Sequence, residues 1–381
     1  MSFKILYQDR KSDSRVGILN TKSGKIETPF FMPVATKTAV KHISSEDLKS
    51  MKAKAVICNS FILSLKPGVE VIKSLKGINN FMSFPGIIFT DSGGFQMYSP
   101  YLYIKSEEKG VIFKNPFSGE KVFITPEKAM DIQLDLDGDV AMCLDSMPLF
   151  RDSKESIEEA VRKTGLWAEI CKRHHDLRQK KISLENRQLL FGITQGGIYD
   201  DLREKSARDL AKISFDGYAL GGLALGEPKK DEYRMIEIVK KILSKEKPLY
   251  LMGAGDPIEL LEAISRGADI FDSRYPTQNA RRGSLFTWKG RLSLKSARNK
   301  DESKAIDSDC TCFVCKRYSR AYLRHLTLEE EGAGLRLVSY HNLYFLQSLM
   351  GKARTAIKKS RFLEFKEQFI RIYEKNDANV E

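Results

Sequence analysis

Residues 268–283 read ADIFDSRYPTQNARRG. The apolar residues Ala268, Ile270 and Phe271 have the character of a buried strand, and the run ends on a carboxylate, Asp272. Arg274, Arg281 and Arg282 follow directly. A strand that ends in an acid at the mouth of a parallel barrel is a frequent catalytic address, and arginines beside it suit phosphate groups.

This run is the last of eight of the same kind. The others are PFFMPVAT (29–36), AKAVICNS (53–60), GIIFTDSGG (86–94), DVAMCLDS (139–146), LLFGITQGG (189–197), GYALGGLALGE (217–227) and LYLMGAGD (249–256). Their unbroken apolar character suits strands buried on both faces of a parallel sheet. Helical spacing follows most of them. Ser153–Leu177 carries Ile157, Ala160, Val161, Leu166, Trp167 and Ile170 on one face, and shorter patterns cover 201–213, 230–244 and 257–266. Eight strand–helix alternations predict an α/β chain folded as a (β/α)8 TIM-type barrel rather than an open sheet. The roughly 240 residues from first to last run match the usual size of that fold.

Two segments break the alternation. Residues 100–124 read as strands joined by turns at Glu108–Gly110 and Phe117–Gly119, an excursion on the rim of the barrel. Residues 285–381 hold a cysteine cluster and a basic final helix. The expected organisation is therefore a barrel over 1–284 and, over 285–381, a zinc-binding subdomain with C-terminal helices packed on it. Residues 351–375 contain eight Lys/Arg against three Asp/Glu, which reads as a solvated helix face.

The chain has 381 residues and a formal charge of +13, enough for one large core plus an appendage. A basic surplus fits a polyanionic partner without proving one. The N-terminus lacks an apolar signal-like stretch and no run is long enough to span a bilayer, so the expected compartment is the cytoplasm, with no membrane. Three of six cysteines cluster as Cys310-x-Cys312-x-x-Cys315, with His341 after a gap of 25 residues. Three thiolates and an imidazole fill a tetrahedral zinc shell and leave no open position, so one structural Zn2+ per chain is expected. His325 is an alternative fourth ligand. Cys58, Cys143 and Cys171 are isolated and read as buried apolar residues.

Three acids sit at predicted strand ends: Asp91, Asp145 and Asp272. In a barrel those ends converge on one mouth. Each acid alone also reads as a helix cap, whereas three at one mouth are harder to dismiss. Asp91 opens into Ser92-Gly93-Gly94-Phe95, Gln195 into Gly196-Gly197, and a fourth strand into Gly221-Gly222-Leu223-Ala224. Glycines bring backbone amides close to a ligand, although each also fits a tight turn. Such a pocket suits a flat polar heterocycle. No Ser-His-Asp set, phosphate-binding lysine loop or dinucleotide fingerprint is present, which points to carboxylate chemistry without an organic cofactor, such as glycosyl transfer.

The segments TDSGGFQ (90–96), FGITQGG (191–197), GYALGGLALGEP (217–228), YLMGAGDP (250–257), FDSRYPTQNARRG (271–283), the cysteine triplet and SYHNLYFLQSLM (339–350) resemble the tRNA-guanine transglycosylases, bacterial type, from Thr28 to about Lys358. The resemblance implies base exchange at the wobble guanine of tRNAs with GUN anticodons, through a covalent ribosyl-enzyme. It implies Asp272 as nucleophile and Asp91 as general acid/base. It further implies that Ser92, Phe95, Asp145, Gln195, Gly222, Leu223 and Met252 form the base pocket, and that Arg274, Gln278, Arg281 and Arg282 face RNA. The incoming base would be 7-aminomethyl-7-deazaguanine or queuine, and the assembly a homodimer. The chain departs from the bacterial pattern at Met147, in place of a cysteine, at Leu225, in place of a valine, at Gln278, in place of an arginine, and at Arg274-Tyr275, in place of apolar residues. These changes leave the acids and the zinc ligands intact and leave the identity of the inserted base open. Two other readings compete: a non-catalytic RNA-binding subunit, opposed by retention of the three acids, and a small-molecule glycosidase, opposed by the basic loop.

Overall fold

The structure is a computed structural model that describes residues 2–92, 102–149 and 151–377. The chain begins with three antiparallel strands, β1 (Phe3–Gln8), β2 (Arg15–Thr21) and β3 (Gly24–Glu27). The first two barrel strands follow, β4 (Phe30–Pro33) and β5 (Ala55–Asn59), and then β6 (Ile87–Asp91). A separate antiparallel sheet comes next, built from β7 (Tyr103–Glu107), β8 (Gly110–Lys114) and β9 (Lys121–Ile124). The barrel resumes with β10 (Val140–Met142), β11 (Leu189–Thr194), β12 (Gly217–Leu220), β13 (Leu249–Leu251) and β14 (Ile270–Ser273). A hairpin, β15 (Ser284–Thr287) and β16 (Gly290–Ser293), ends the strand series.

The eight parallel strands run in the order β4-β14-β13-β12-β11-β10-β6-β5. A bridge between Val34 and Ile57 joins the two ends, supported by a bond from the Ala35 amide to the Ile57 carbonyl at 2.7 Å. The expected barrel is therefore present. Helices at Lys154–Arg178, Asp200–Ala211, Lys229–Ile242 and Pro257–Ser265 follow the strands, each within two residues of its expected bounds.

Side-chain parity decides what the barrel presents at its mouth. One buried cluster holds Phe30 and Met32, Ala55 and Ile57, Ile87 and Phe89, Val140 and Met142, with Tyr250 and Ile270: alternate residues, pointing to the barrel axis. The intervening residues, such as Val56, Ile88 and Phe271, pack outward against the helices. Continuing the inward parity by one step places Asp91 after Phe89 and Asp272 after Ile270 at the open end. The other end is closed by the N-terminal sheet, whose Phe3, Leu19 and Ile26 join the inner cluster. It is pinned there by the buried Arg15–Asp269 ion pair, 2.6 Å. The sequence reading leaves this plug unassigned.

The rim sheet leans on the helix Lys154–Arg178, where the Trp167 indole donates to the Glu108 carbonyl at 2.8 Å. The long helix Gly332–Lys358 lies against the barrel near β4. Gln347 donates to the Phe31 carbonyl at 3.0 Å, and Arg354 donates to that of Pro29 at 2.6 Å.

Candidate active site

A cavity of about 480 Å³ opens at the mouth, lined among others by Asp91, Ser92, Asp145, Met147, Met252 and Asp272. Its size is ordinary for a small-molecule site. Gly222, Leu223, Arg274 and Gln278 also line it. Of the expected base-pocket residues, Phe95 lies outside the described residues, as do Gly93 and Gly94.

Asp272 is held by two donors on one oxygen. The Tyr250 hydroxyl reaches Oδ1 at 2.5 Å and the Gly253 amide reaches it at 3.1 Å. Oδ2 keeps no hydrogen bond among the described residues. Burial raises the Asp272 carboxyl above its ordinary range, and the Tyr250 and Gly253 bonds and the charge of Arg274 pull it partly back.

Asp145 lies three residues past β10 and is 7% exposed. Gln195 Nε2 donates to its Oδ2 at 2.7 Å, and the Ser92 side chain also bonds to it. Burial pushes its carboxyl up to about 6, against those bonds. The second amide atom of Gln195, Oε1, is buried without a partner. A Cβ on Gly222, where φ is +67°, would stand 2.7 Å from that oxygen. Only glycine fits there without displacing Gln195. Asp145, Gly221 and Gly222 line the cavity, and Gln195, itself fully buried and not among the lining residues, stands directly behind Asp145.

Several groups that shape this part of the cavity escaped the sequence reading. Arg203, fully buried on the helix Asp200–Ala211, donates to the carbonyls of Thr194 at 3.0 Å, Gly221 at 3.0 Å and Gly197 at 2.7 Å. It thereby ties the loop after β11, which carries Gln195, to the loop after β12, which carries Gly222. Glu227 accepts from the amides of Ala224 at 2.5 Å and Leu225 at 2.9 Å, holding the next turn of the same loop. Leu225 itself is not among the residues lining the cavity, whereas Met147 is.

The helix Tyr275–Arg281 follows β14. Arg274, Arg282 and Gln278 are exposed, and Arg281 is half-buried. Burial and the charges of Arg274 and Arg282 lower the Arg281 guanidinium, and its Nη1 is buried without a partner. Three guanidinium groups thus crowd one side of the mouth.

The family model for queuine tRNA-ribosyltransferase matches residues 9–375. This chain belongs to the queuine tRNA-ribosyltransferase family. It is 46% identical over 369 residues to the Fusobacterium nucleatum subsp. nucleatum protein of that name, covering 96% of this chain and 97% of that one. It is 43% identical to the Lysinibacillus sphaericus one, covering 99% and 97%, and 44% identical to that of Staphylococcus aureus strain JH9, covering 97% and 96%. Queuine tRNA-ribosyltransferases are pentosyl-transferring enzymes, and the family membership, the barrel and the acids at its mouth agree.

This member of the queuine tRNA-ribosyltransferase family also carries a group able to hold one metal ion. Cys310, Cys312, Cys315 and His341 bring their donor atoms within 4.8 Å of one another. His341 is the fourth member, and His325 is not part of the group. His341 Nε2 donates to the Phe286 carbonyl at 2.8 Å, which fixes the tautomer and leaves Nδ1 facing the sulfurs. The neighbouring Asn342 donates to the carbonyls of Pro276 at 3.0 Å and Ser284 at 3.1 Å. The metal group is thereby braced against the helix that bears Arg281. No described helix is long and apolar enough to cross a membrane.

Proposed function

We propose that this chain exchanges guanine at the wobble position of tRNAs with GUN anticodons for a 7-deazaguanine, by double displacement at one ribose. The observation that carries this reading is that Asp272, one oxygen pinned and one without a hydrogen bond among the described residues, lines a single cavity with Asp91 and Asp145, the last backed by Gln195.

In this reading the wobble nucleotide is turned out of its stack to reach the mouth. Its guanine lies in the cavity beside Gly221 and Gly222, with its ring N–H and amino group donating to Asp145 and its carbonyl accepting from Gln195 or the Gly222 loop. Oδ2 of Asp272 attacks C1′. The glycosidic C1′–N9 bond breaks as the C1′–O bond to Asp272 forms, and Asp91 protonates the departing guanine. The incoming base then loses its N9 proton to Asp91 and attacks C1′, breaking the ester and freeing Asp272. Retention through two inversions and ping-pong kinetics follow. Arg274, Gln278, Arg281 and Arg282 would hold the phosphates and bases on either side. Ser92, Leu223 and Met252 would line the base.

The metal is proposed to be zinc. In a tetrahedral shell with ordinary zinc–sulfur and zinc–nitrogen bonds, sulfur and nitrogen lie about 3.6 Å apart. The three sulfurs lie 3.8, 3.6 and 3.3 Å from His341 Nδ1. A closed shell gives a structural ion, not a catalytic one. A homodimer in the cytoplasm completes the reading. Met147 at the cavity wall makes the choice between 7-aminomethyl-7-deazaguanine and queuine a matter for direct competition.

The test is incubation with an unmodified tRNA transcript carrying a GUN anticodon and labelled guanine. Incorporation that disappears when the wobble guanine is replaced supports the reading. Intact tRNA binding without incorporation contradicts it.

A further inference from the structure

Phe117 stands at the turn between β8 and β9 with 45% of its surface in solvent. The turn is fixed from within. Asn115 Oδ1 accepts from the amides of Phe117 at 2.9 Å and Ser118 at 3.3 Å, and the Gly119 amide donates to the Asn115 carbonyl at 2.8 Å. Gly119 takes the left-handed conformation, φ +80°, that the turn requires. The ring is thus held outward by a local hydrogen-bond set, although an apolar side chain gains nothing from water.

Two ammonium groups converge on this ring from other loops at the open end of the barrel. Lys37 Nζ, from the loop after β4, lies 5.5 Å from the ring centroid, and Lys66 Nζ, beyond β5, lies 5.4 Å from it. Both lysines are exposed, and neither pairs with a carboxylate among the described residues. The basic character continues toward the cavity. On the same loop as Lys37, His42 is held below its ordinary range by burial, by Arg281 and by Lys41, which places this loop beside the arginine helix. Cationic groups therefore run from Arg274 and Arg281, across residues 37–42, to Lys66, with the exposed Phe117 ring among them.

An aromatic face flanked by free cations is the arrangement that binds a single-stranded nucleotide, the base stacking on the ring and the phosphates meeting the charges. A second copy of this chain is a poorer occupant, because the patch is unneutralised and the chain itself carries +13. We propose that Phe117, with Lys37 and Lys66, forms a stacking platform for an unpaired nucleotide of the RNA substrate outside the one that enters the cavity. This rests on the proposed function.

The test uses the full chain and an unmodified anticodon stem-loop RNA with a GUN loop. Phe117→Ala, Phe117→Trp and the double variant Lys37→Gln/Lys66→Gln are compared with the parent protein. Affinity is read by fluorescence anisotropy over a range of salt, the KM for labelled guanine by incorporation, and oligomeric state by sedimentation. Phe117→Ala is expected to weaken RNA binding about 10-fold and Phe117→Trp to restore it, with the KM for guanine unchanged. The double lysine variant is expected to flatten the slope of log affinity against log salt by about 1.4, roughly 0.7 for each charge on a single strand. Affinity of Phe117→Ala within about twofold of the parent overturns the proposal, as does an altered oligomeric state with unaltered RNA affinity, which reassigns the patch to a contact between copies. If the parent binds RNA and exchanges guanine while Phe117→Ala matches it, the platform alone fails. If the parent binds no RNA, the functional reading fails with it.

Discussion

Tyr250 donates its hydroxyl to Oδ1 of Asp272 at 2.5 Å, from a neighbouring barrel strand. This bond favours the ionised carboxylate against the burial that opposes it. Tyr250→Phe removes the donor and leaves the ring. The Asp272 carboxyl then rises further, so the acid limb of the kcat/KM profile moves to higher pH. At neutral pH the rate should fall about 10-fold or more, the worth of a hydrogen bond to a charged group. A profile whose acid limb stays in place contradicts this role for Tyr250.

Asp145 is ionised at a cost. Its carboxyl sits at about 6 in the fold, above an ordinary value of 3.8, because of burial. The folded chain therefore binds more protons than the unfolded chain between those two values. Stability from this group is full below the lower value and is lost as pH rises through the upper one, up to about 3 kcal/mol at pH 7. Asp145→Asn removes that cost and also removes the charged acceptor proposed for the base. The variant should melt higher than the parent at pH 7, the gap closing near pH 4, while the KM for guanine rises about 100-fold. Calorimetry at the two pH values, paired with guanine saturation curves, reads both halves.

Arg203 acts through the two loops it joins. Arg203→Met leaves the carbonyls of Thr194, Gly197 and Gly221 without their donor, and should cost about 2–4 kcal/mol of stability. The informative reading is kinetic. The KM for guanine should rise about 10-fold or more while RNA affinity holds, because Gln195 and Gly222 shift but the arginine helix does not. Arg203→Lys should recover part of the loss. Equal loss of RNA and guanine binding would mark a general collapse instead.

The barrel was legible because strands buried on both faces write themselves as unbroken apolar runs, and because Asp91 and Asp272 interrupt those runs at their ends. The same unbroken character hid the parity of the strands, so Tyr250, a polar group on the inner face of β13, passed as one more apolar position. Arg203 was hidden for the opposite reason. Within DDLREKSARDLA it looks like a solvent-facing charge, and only the carbonyls it meets from two distant loops reveal it. The N-terminal plug was missed because β1 is largely exposed and β2 largely buried, so neither writes a clean alternation. The metal group was legible from spacing, whereas the Asn342 brace to Pro276 depends on how the long helix docks.

That brace links the metal group to the helix proposed to face RNA. The protein should hold one zinc per chain by atomic emission. Removal by a chelator, or Cys312→Ser, should lower Tm by at least about 5 °C, since a structural zinc contributes folding free energy directly. RNA affinity should fall with it as the Pro276 and Ser284 carbonyls lose Asn342. A metal-free protein that melts and binds RNA like the parent contradicts the brace.

The central claim is that Oδ2 of Asp272 becomes bonded to the ribose. The direct measurement is mass spectrometry of denatured protein after incubation with a GUN anticodon stem-loop, without incoming base, followed by mapping of the modified peptide. The account predicts an RNA-bearing adduct on the peptide containing Asp272, absent from Asp272→Asn. An adduct that persists in Asp272→Asn, or that maps to Asp91, contradicts it.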